Sequence, residues 1–293
     1  MKKLEEFLRP TQTQLFKNLC EMYHGKSLYI KGKFILVKGT APILLVAHLD
    51  TVHKEPVKDI CTSADGNILM SPQGIGGDDR CGVYALVNAY EQSAIKPDLL
   101  FTCNEEVGGI GAKSFSYLHS LGKLPMSLDK VKFIVEVDRK GSSDAVYYDC
   151  CNNDFEAYIT DKGFKTVQGT FTDISIIAPQ LGIAAVNLSS GYYNAHQLCE
   201  FINRNELDAT LAKILTMIND SAKKDFPQFE YLSAFHDLIP QSIPKEYVEI
   251  YEELLYDYSP DELEYYRETY GDKILWELYC DLYRSVYDKQ EKY

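Results

Sequence analysis

The feature that most constrains the fold is a series of four short apolar runs, each followed directly by polar or charged residues. These runs are 42–47 (PILLVA), 99–103 (LLFTC), 131–137 (VKFIVEV) and 183–188 (IAAVNL). Such runs are typical of strands buried on both faces of a parallel sheet. Helical patterns alternate with the runs, at 80–92, 111–120, 172–181 and 205–220. This alternation predicts an α/β fold, a three-layer sandwich with a mostly parallel central sheet flanked by helices.

Polar residues stand at the carboxyl end of every run. The first run ends in His48-Leu49-Asp50, the second in Asn104-Glu105-Glu106 and the third in Asp138, and the fourth leads into the loop that holds His196. Open α/β sheets bind their ligands beyond the carboxyl ends of the strands. We therefore expect these histidines and carboxylates to meet at one edge of the sheet.

Composition excludes several classes of protein. The net charge of −13 argues against a nucleic-acid partner, since phosphate binding needs clustered lysine and arginine. No run of about 18 apolar residues is present, so we expect no membrane span. Glu5 and Glu6 stand where a signal peptide needs an apolar stretch. The eight cysteines form no CxxC pair, which favours reduced thiols. We expect a mature cytoplasmic protein.

The last 48 positions differ in composition from the rest. Residues 246–293 contain 14 acidic and 5 basic residues and 11 of the 22 tyrosines. Their apolar residues recur at helical spacing, and Ser259-Pro260-Asp261-Glu262 has the pattern of a helix start. We predict a catalytic domain over 1–225 and an acidic, tyrosine-rich helical extension over 226–293. The 246–293 helices either pack on the catalytic domain or make an oligomer or partner contact.

His48 and Asp50 suit a metal ligand and its orienting carboxylate. Imidazole is the commonest zinc ligand, and its second ring nitrogen usually needs a carboxylate or carbonyl group to fix its tautomer. In Gly76-Gly77-Asp78-Asp79, a helix cap explains one aspartate well and the pair less well. A carboxylate that bridges two cations would use both of its oxygens, and its neighbour could support the loop.

Adjacent carboxylates at a strand end repel each other unless a cation or a shared proton intervenes. A division of roles resolves this repulsion: Glu106 binds metal, and Glu105 faces the substrate as general base and later acid. Asp138 offers another oxygen ligand, with Glu136 on the same strand as a competing candidate. His196 follows a run of turn-forming residues, SSGYYNA.

In order, the motifs HLDTV, GGDDRCG, NEEVGG and EVD and a late histidine after SSGYYNA resemble the co-catalytic zinc peptidases. That superfamily includes bacterial aminopeptidases, peptidase T-like tripeptidases, carboxypeptidase G-like enzymes and the deacetylases of amino-acid synthesis. The motifs span residues 43–201, a little over half of the chain. The resemblance implies the fold and the chemistry of that superfamily.

By position, the resemblance implies two zinc ions, although cobalt or manganese could serve. His48 and Asp138 would hold one ion, Glu106 and His196 would hold the other, and Asp78 would bridge them.

The resemblance also assigns residues that are not ligands. Asp79 would follow the bridging aspartate, through a cis peptide as family members often show. Asp50 would orient the first histidine, and Glu105 would be the base that deprotonates a metal-bridging water. Tyr192 or Tyr193 could help to stabilise the oxyanion.

The expected function is therefore metal-dependent cleavage of a peptide or amide bond, by an aminopeptidase or a di- or tripeptidase. The substrate would be a short peptide or an acylated amino acid. Alternatives are an N-acyl amino acid deacylase of the same superfamily, a catalytically inactive binding module, and a one-zinc acyltransferase of similar fold.

The spacing of the motifs departs from many relatives, which insert a second domain in one of two gaps. Here only 29 residues separate the first histidine from Asp78, and 57 separate Asp138 from the last histidine. Neither gap holds such a domain. The chain therefore resembles the compact single-domain zinc aminopeptidases most in layout, and its acidic tail could replace contacts that an inserted lid provides elsewhere.

Overall fold

The computed structural model describes residues 2–124, 126–233, 235 and 238–290, and for residue 249 and residues 283–290 the backbone only. The chain divides into two compact units, residues 1–231 and 232–293. The domain boundary after residue 225 stays a prediction, as does the role of each part. Residues 234, 236, 237 and 291–293 of the predicted extension lie outside the described residues.

An eight-stranded sheet forms the centre of the first unit. Its strands, numbered along the chain and given in spatial order, are β1 Ser27–Ile30, β2 Phe34–Val37, β6 Asp98–Thr102, β3 Leu44–His48, β7 Ile134–Arg139, β10 Ala185–Ser189, β8 Asp144–Val146 and β9 Lys165–Thr166. The four central strands β6, β3, β7 and β10 run parallel to one another. The pairs β1–β2, β2–β6 and β8–β10 are antiparallel. The predicted, largely parallel sheet is confirmed, and its four predicted strands are the central ones.

Helices cover both faces of this sheet. One face carries α1 Glu5–Leu8, α2 Gln12–Met22, α3 Gly77–Gln92, α5 Asn153–Asp161 and α7 Arg204–Ser221, and the other carries α4 Ile110–Ser120 and α6 Asp173–Leu181. Successive strand residues point to opposite faces. On β3, Leu45 and Ala47 therefore pack into the first core, and Leu44 and Val46 pack into the second. The four predicted helices are confirmed, and the sequence analysis missed the short helices α1 and α5.

A second, smaller sheet lies at the edge where the predicted ligands converge. It is antiparallel and consists, in spatial order, of β11 Tyr192–Tyr193, β12 Phe201–Asn203, β5 Ile68–Met70 and β4 Cys61–Thr62. It joins the loop that carries His196 to the segment that precedes α3. The sequence analysis missed this sheet, because strands of two or three residues are too short to show a periodic pattern.

The second unit is helical. It contains a 3-10 turn at Lys245–Tyr247, followed by α8 Val248–Leu254, α9 Pro260–Tyr270 and α10 Lys273–Gln290. The capping box predicted at the start of α9 is confirmed, with Ser259 N–H donating to Glu262 Oε2 at 2.9 Å. A core of this unit includes Tyr251, Leu254 and Leu263. None of the helices among the described residues combines the length and the hydropathy of a membrane span.

Candidate metal centre

The five predicted ligands converge beyond the carboxyl ends of the central strands. Two groups that together contain all five have donor atoms within 4.8 Å of one another: His48, Asp78 and Asp138 form the first group, and Asp78, Glu106 and His196 form the second. A third group that meets the same distance, His48, Glu105 and Glu106, includes the residue expected to be the base. His48 is the last residue of β3, and Asp138 is the fifth of six residues in β7. The fold therefore brings together all five residues of the predicted ligand set.

Asp78 belongs to both donor groups and uses one oxygen for each. Its Oδ1 lies 3.2 Å from His48 Nε2, and its Oδ2 lies 3.2 Å from His196 Nε2. On the first side, Asp138 Oδ2 lies 3.7 Å from His48 Nε2, and on the second side Glu106 Oε1 lies 3.2 Å from His196 Nε2. This arrangement is that of a carboxylate placed to bridge two cations.

Asp79 ties the start of α3 to the end of β3. It follows Asp78 through a cis peptide bond, as the resemblance implied. Its buried carboxylate accepts hydrogen bonds from the backbone N–H of His48 at 3.1 Å and of Gly82 at 2.9 Å. A Cβ at Gly82 would lie 2.4 Å from Asp79 Oδ1, so only glycine permits this approach. Asp79 therefore supports the loop, in agreement with the role expected for the second aspartate.

Asp50 connects the first histidine to the loop of the glutamate pair. Its Oδ1 lies 3.4 Å from His48 Nδ1 and accepts the backbone N–H of Glu105 at 3.1 Å. Its Oδ2 accepts the backbone N–H of Glu106 at 3.0 Å. Burial opposes ionisation, but the contacts with His48 and with these N–H groups hold the pKa of Asp50 below its ordinary value. Asp50 is thus placed both to orient the imidazole and to fix the glutamates.

Glu105 lies in the wall of a cleft of about 400 Å³ that opens over the centre. The lining residues are Asp78, Glu105, Glu106, Gly108, Asp138, Arg139, Lys140, Tyr148, Thr170, Phe171, Tyr192, Ala195 and His196. Burial raises the pKa of Glu105 above its ordinary value, and the negative charge of Asp78 adds to this effect. A carboxylate with a raised pKa takes and returns a proton more readily near neutral pH.

Asp138, and not the competing Glu136, joins the donor group of His48. The backbone N–H of Asp138 donates to Asn187 Oδ1 at 2.8 Å, and its carboxylate accepts the hydroxyl of Tyr192 at 3.2 Å. Glu136 is fully buried two residues earlier, and neither of its oxygens has a hydrogen-bond partner among the described residues. Tyr193 differs from Tyr192, because its hydroxyl donates to Glu206 at 2.6 Å. Of the two tyrosines, Tyr192 is the one beside the donor groups.

Glu200 is a supporting residue that the sequence analysis missed. Its fully buried carboxylate accepts the backbone N–H groups of Gly76 and Asp78, both at 3.0 Å, and it lies 2.8 Å from His53 Nε2. Glu200 stands just before β12, about 120 residues from the loop that it holds. A glutamate before a short strand carries no local signal that it is buried.

The electrostatics of the cluster favour bound positive charge. Burial and the charge of Asp78 together raise the pKa of Glu106 to about 7. Burial raises the pKa of Asp138 well above its ordinary value, and Asp78 again adds to the effect. The contact with Asp78 raises the pKa of His196 to about 9. Nitrogen and oxygen donors without thiolates suit zinc, cobalt or manganese, so the residues present fit two divalent ions.

No protein-family model matches the sequence, and no curated protein matches it. Solved structures do match. Aminopeptidase PepT from Bacillus cereus is similar over 75% of this chain and 97% of its own, with 14% identity and a TM-score of 0.56. A tripeptidase from Staphylococcus aureus is similar over 75% of this chain and 96% of its own, with 14% identity and a TM-score of 0.55.

A third similar structure is the TET1 peptidase from Pyrococcus horikoshii. It matches 73% of this chain and 98% of its own, with 14% identity and a TM-score of 0.54. At such low identity, these likenesses establish a shared fold. They therefore confirm the fold that the resemblance implied.

Proposed function

We propose that this chain is a metal-dependent peptidase, an aminopeptidase or a di- or tripeptidase, that works with two zinc ions. The observation that carries the proposal is the position of Asp78, whose two oxygens each lie 3.2 Å from a different histidine. His48 and Asp138 would hold one ion, and Glu106 and His196 would hold the other. When bound, such a pair of ions polarises the scissile carbonyl group and lowers the pKa of a water molecule.

Glu105 is the residue proposed to move protons. One of its carboxylate oxygens would take a proton from the attacking water, and the same group would then give that proton to the nitrogen of the leaving amine. Its burial supports this role, because a raised pKa brings the group closer to neutral pH. Its backbone N–H donates to Asp50 Oδ1, which fixes the loop relative to His48.

Metal analysis followed by a hydrolysis assay tests the proposal. The purified chain should contain two equivalents of zinc, or take them up from solution. The assay panel should compare aminoacyl amides, dipeptides, tripeptides, N-acetylated amino acids and carboxyl-terminal reporters. Cleavage only of N-acetylated amino acids would replace the proposal by the deacylase alternative. If the chain binds no metal, or hydrolyses no substrate of the panel, the result would favour a binding module and contradict the proposal.

For the assembly, we propose a homo-oligomer that uses the helices of residues 246–293. The TET1 peptidase of similar fold is described as assembling into a tetrahedron or a large octahedral shell. Within the second unit, Tyr265, Tyr270 and Trp276 are exposed, and exposed aromatic residues are common in protein interfaces. Light scattering of the full chain tests this proposal, and a monomer at micromolar concentration would contradict it.

A further inference from the structure

Two cations line a cleft whose other charged groups are mostly carboxylates. Arg139 and Lys140 directly follow Asp138, and they are the only lysine or arginine residues among the described residues that line the cleft. The chain as a whole carries a net charge of −13. Two adjacent cations beside the proposed reaction centre therefore stand out from the general charge of the protein.

The backbone that carries these two cations is held in place. The carbonyl oxygen of Arg139 accepts the N–H of Ser190 at 2.8 Å, and the carbonyl oxygen of Lys140 accepts the hydroxyl of Ser189 at 2.8 Å. The next N–H, that of Gly141, donates to the carbonyl oxygen of Tyr192 at 2.8 Å. These bonds fix the backbone from which both side chains project into the wall of the cleft.

The guanidinium group of Arg139 has an N–H donor that makes no hydrogen bond with the described residues. Its Nε is buried and has no hydrogen-bond partner among the described residues. It forms an ion pair with Asp144 Oδ2 at 3.7 Å, which is beyond hydrogen-bonding distance. A guanidinium group presents its N–H donors in a planar fork that matches both oxygens of a carboxylate.

We infer that Arg139, with Lys140 beside it, binds a carboxylate of the substrate and so selects substrates that carry one close to the scissile bond. This inference rests on the proposed peptidase function and adds a substrate class to it. An extended residue spans about 3.3 to 3.6 Å, so a carboxyl terminus one or two residues beyond the scissile bond lies within about 7 Å of it. Arg139 is adjacent in sequence to the proposed ligand Asp138, which suits such a short span.

The carboxylate could come from the carboxyl terminus of a short peptide or from an acidic side chain. Three substrates with the same type of scissile bond separate these sources: Ala-Ala with a free carboxylate, Ala-Ala amide and Ala-Glu amide. We expect the wild-type enzyme to show a lower KM for the substrates that carry a carboxylate. A preference for Ala-Ala over both amides identifies the terminus, and a preference for Ala-Glu amide over Ala-Ala amide identifies the side chain.

Variants of the cleft test whether Arg139 causes this preference. R139Q should raise the KM for the carboxylate substrate roughly 10- to 100-fold, as expected for the loss of a charge-assisted hydrogen bond. It should change kcat little and leave the KM for Ala-Ala amide within about threefold. K140Q should have a smaller effect of the same kind. K17Q makes the same charge change at an exposed side chain of α2 and should have no effect.

D144N distinguishes substrate binding from a structural role. If Arg139 only pairs with Asp144, D144N should reproduce the effect of R139Q, and that outcome would overturn the inference. If Arg139 binds the substrate, D144N should leave the KM for the carboxylate substrate unchanged or lower it. Equal KM values for all three substrates with the wild type, or an equal rise for all three with R139Q, would also overturn the inference.

A binding measurement separates this inference from the proposed function. Failure of the wild type to hydrolyse any of the three substrates would count against the peptidase. Calorimetric titration of zinc-loaded E105Q with Ala-Ala and with its amide needs no turnover. Tighter binding of Ala-Ala, or of Ala-Glu amide titrated in the same way, than of Ala-Ala amide, lost on adding R139Q, supports the carboxylate subsite. Equal binding of all three overturns it.

Discussion

Glu200 Oε1 accepts a hydrogen bond from the backbone N–H of Asp78 at 3.0 Å, so a residue distant in sequence holds the proposed bridging ligand. The other oxygen of Glu200 accepts the N–H of Gly76 and lies 2.8 Å from His53 Nε2. A buried carboxylate is costly unless it is hydrogen-bonded, and here each oxygen has a partner. The position of Asp78 therefore depends on Glu200.

We predict that E200Q weakens both the fold and the metal centre. The amide of glutamine would turn an NH₂ group toward one of the two N–H donors, which leaves a buried group without a partner. The free energy of unfolding should fall by about 1 to 3 kcal/mol. Zinc affinity should fall roughly 10- to 100-fold, as for other residues that orient ligands. Denaturant unfolding and zinc titration measure the two effects. E91Q, at an exposed position of α3, is the control, and equal behaviour of the two variants would refute the prediction.

We predict that D50N lowers turnover while zinc remains bound. An NH₂ group in place of one oxygen cannot accept the N–H of Glu105 or Glu106, so the glutamate loop should shift. The expected loss in kcat is roughly 10- to 100-fold. Steady-state kinetics and zinc analysis on the same sample test this. Full activity in D50N would show that the hydrogen bonds of Asp50 do not position the glutamates.

We predict that E105Q and E106Q fail in different ways, although the two residues are neighbours. E105Q should keep both zinc ions and lose about 10²- to 10⁴-fold in kcat, because the group proposed to move the proton is gone. E106Q should lose one zinc equivalent, because its carboxylate lies 3.2 Å from His196 Nε2 in the donor group that also contains Asp78. Substantial turnover in E105Q, or two tightly bound ions in E106Q, would contradict the roles assigned here.

We predict that removal of metal lowers the thermal stability of the protein. The proposed ligands include three buried or half-buried carboxylates, whose mutual repulsion a cation relieves. Zinc at about 100 times its Kd should stabilise the fold by about 2.7 kcal/mol per site. Differential scanning calorimetry with and without a chelator measures the change in Tm. D78N should abolish most of the zinc-dependent rise, and a chelator-insensitive Tm in the wild type would argue against a metal centre.

We predict that a chain ending at Tyr231 folds and binds zinc without the second unit. The first unit contains all seven proposed site residues and the two cores that cover its central sheet. Circular dichroism and zinc titration of this shorter chain test its integrity. Light scattering should show a smaller assembly than for the full chain, if residues 246–293 make the oligomer contact. Loss of zinc binding with the fold preserved would show that the second unit contributes to the centre.

The sequence by itself determined the central strands and the place of the ligands. Buried parallel strands need continuous apolar runs, and the carboxyl ends of such strands meet at one edge of a sheet, so His48, Asp138 and the Glu105–Glu106 pair could be placed together. The cap at Ser259 was also predictable, because a capping box is a contact between residues three positions apart. In each case the pattern is local, or follows from a general rule of sheet topology.

Only the tertiary structure decided which residues hold the proposed ligands in place and which of two neighbouring side chains faces them. Glu200 holds Asp78 from about 120 positions away, and Tyr192 rather than Tyr193 faces Asp138. Neither contact can be predicted from a periodic pattern in the sequence. Both residues lie in or beside the small sheet, whose strands are too short to show such a pattern. The residue type given by a sequence does not show whether its carboxylate or hydroxyl group is buried or solvated. Its role is set by partners that the folded chain brings within about 3 Å.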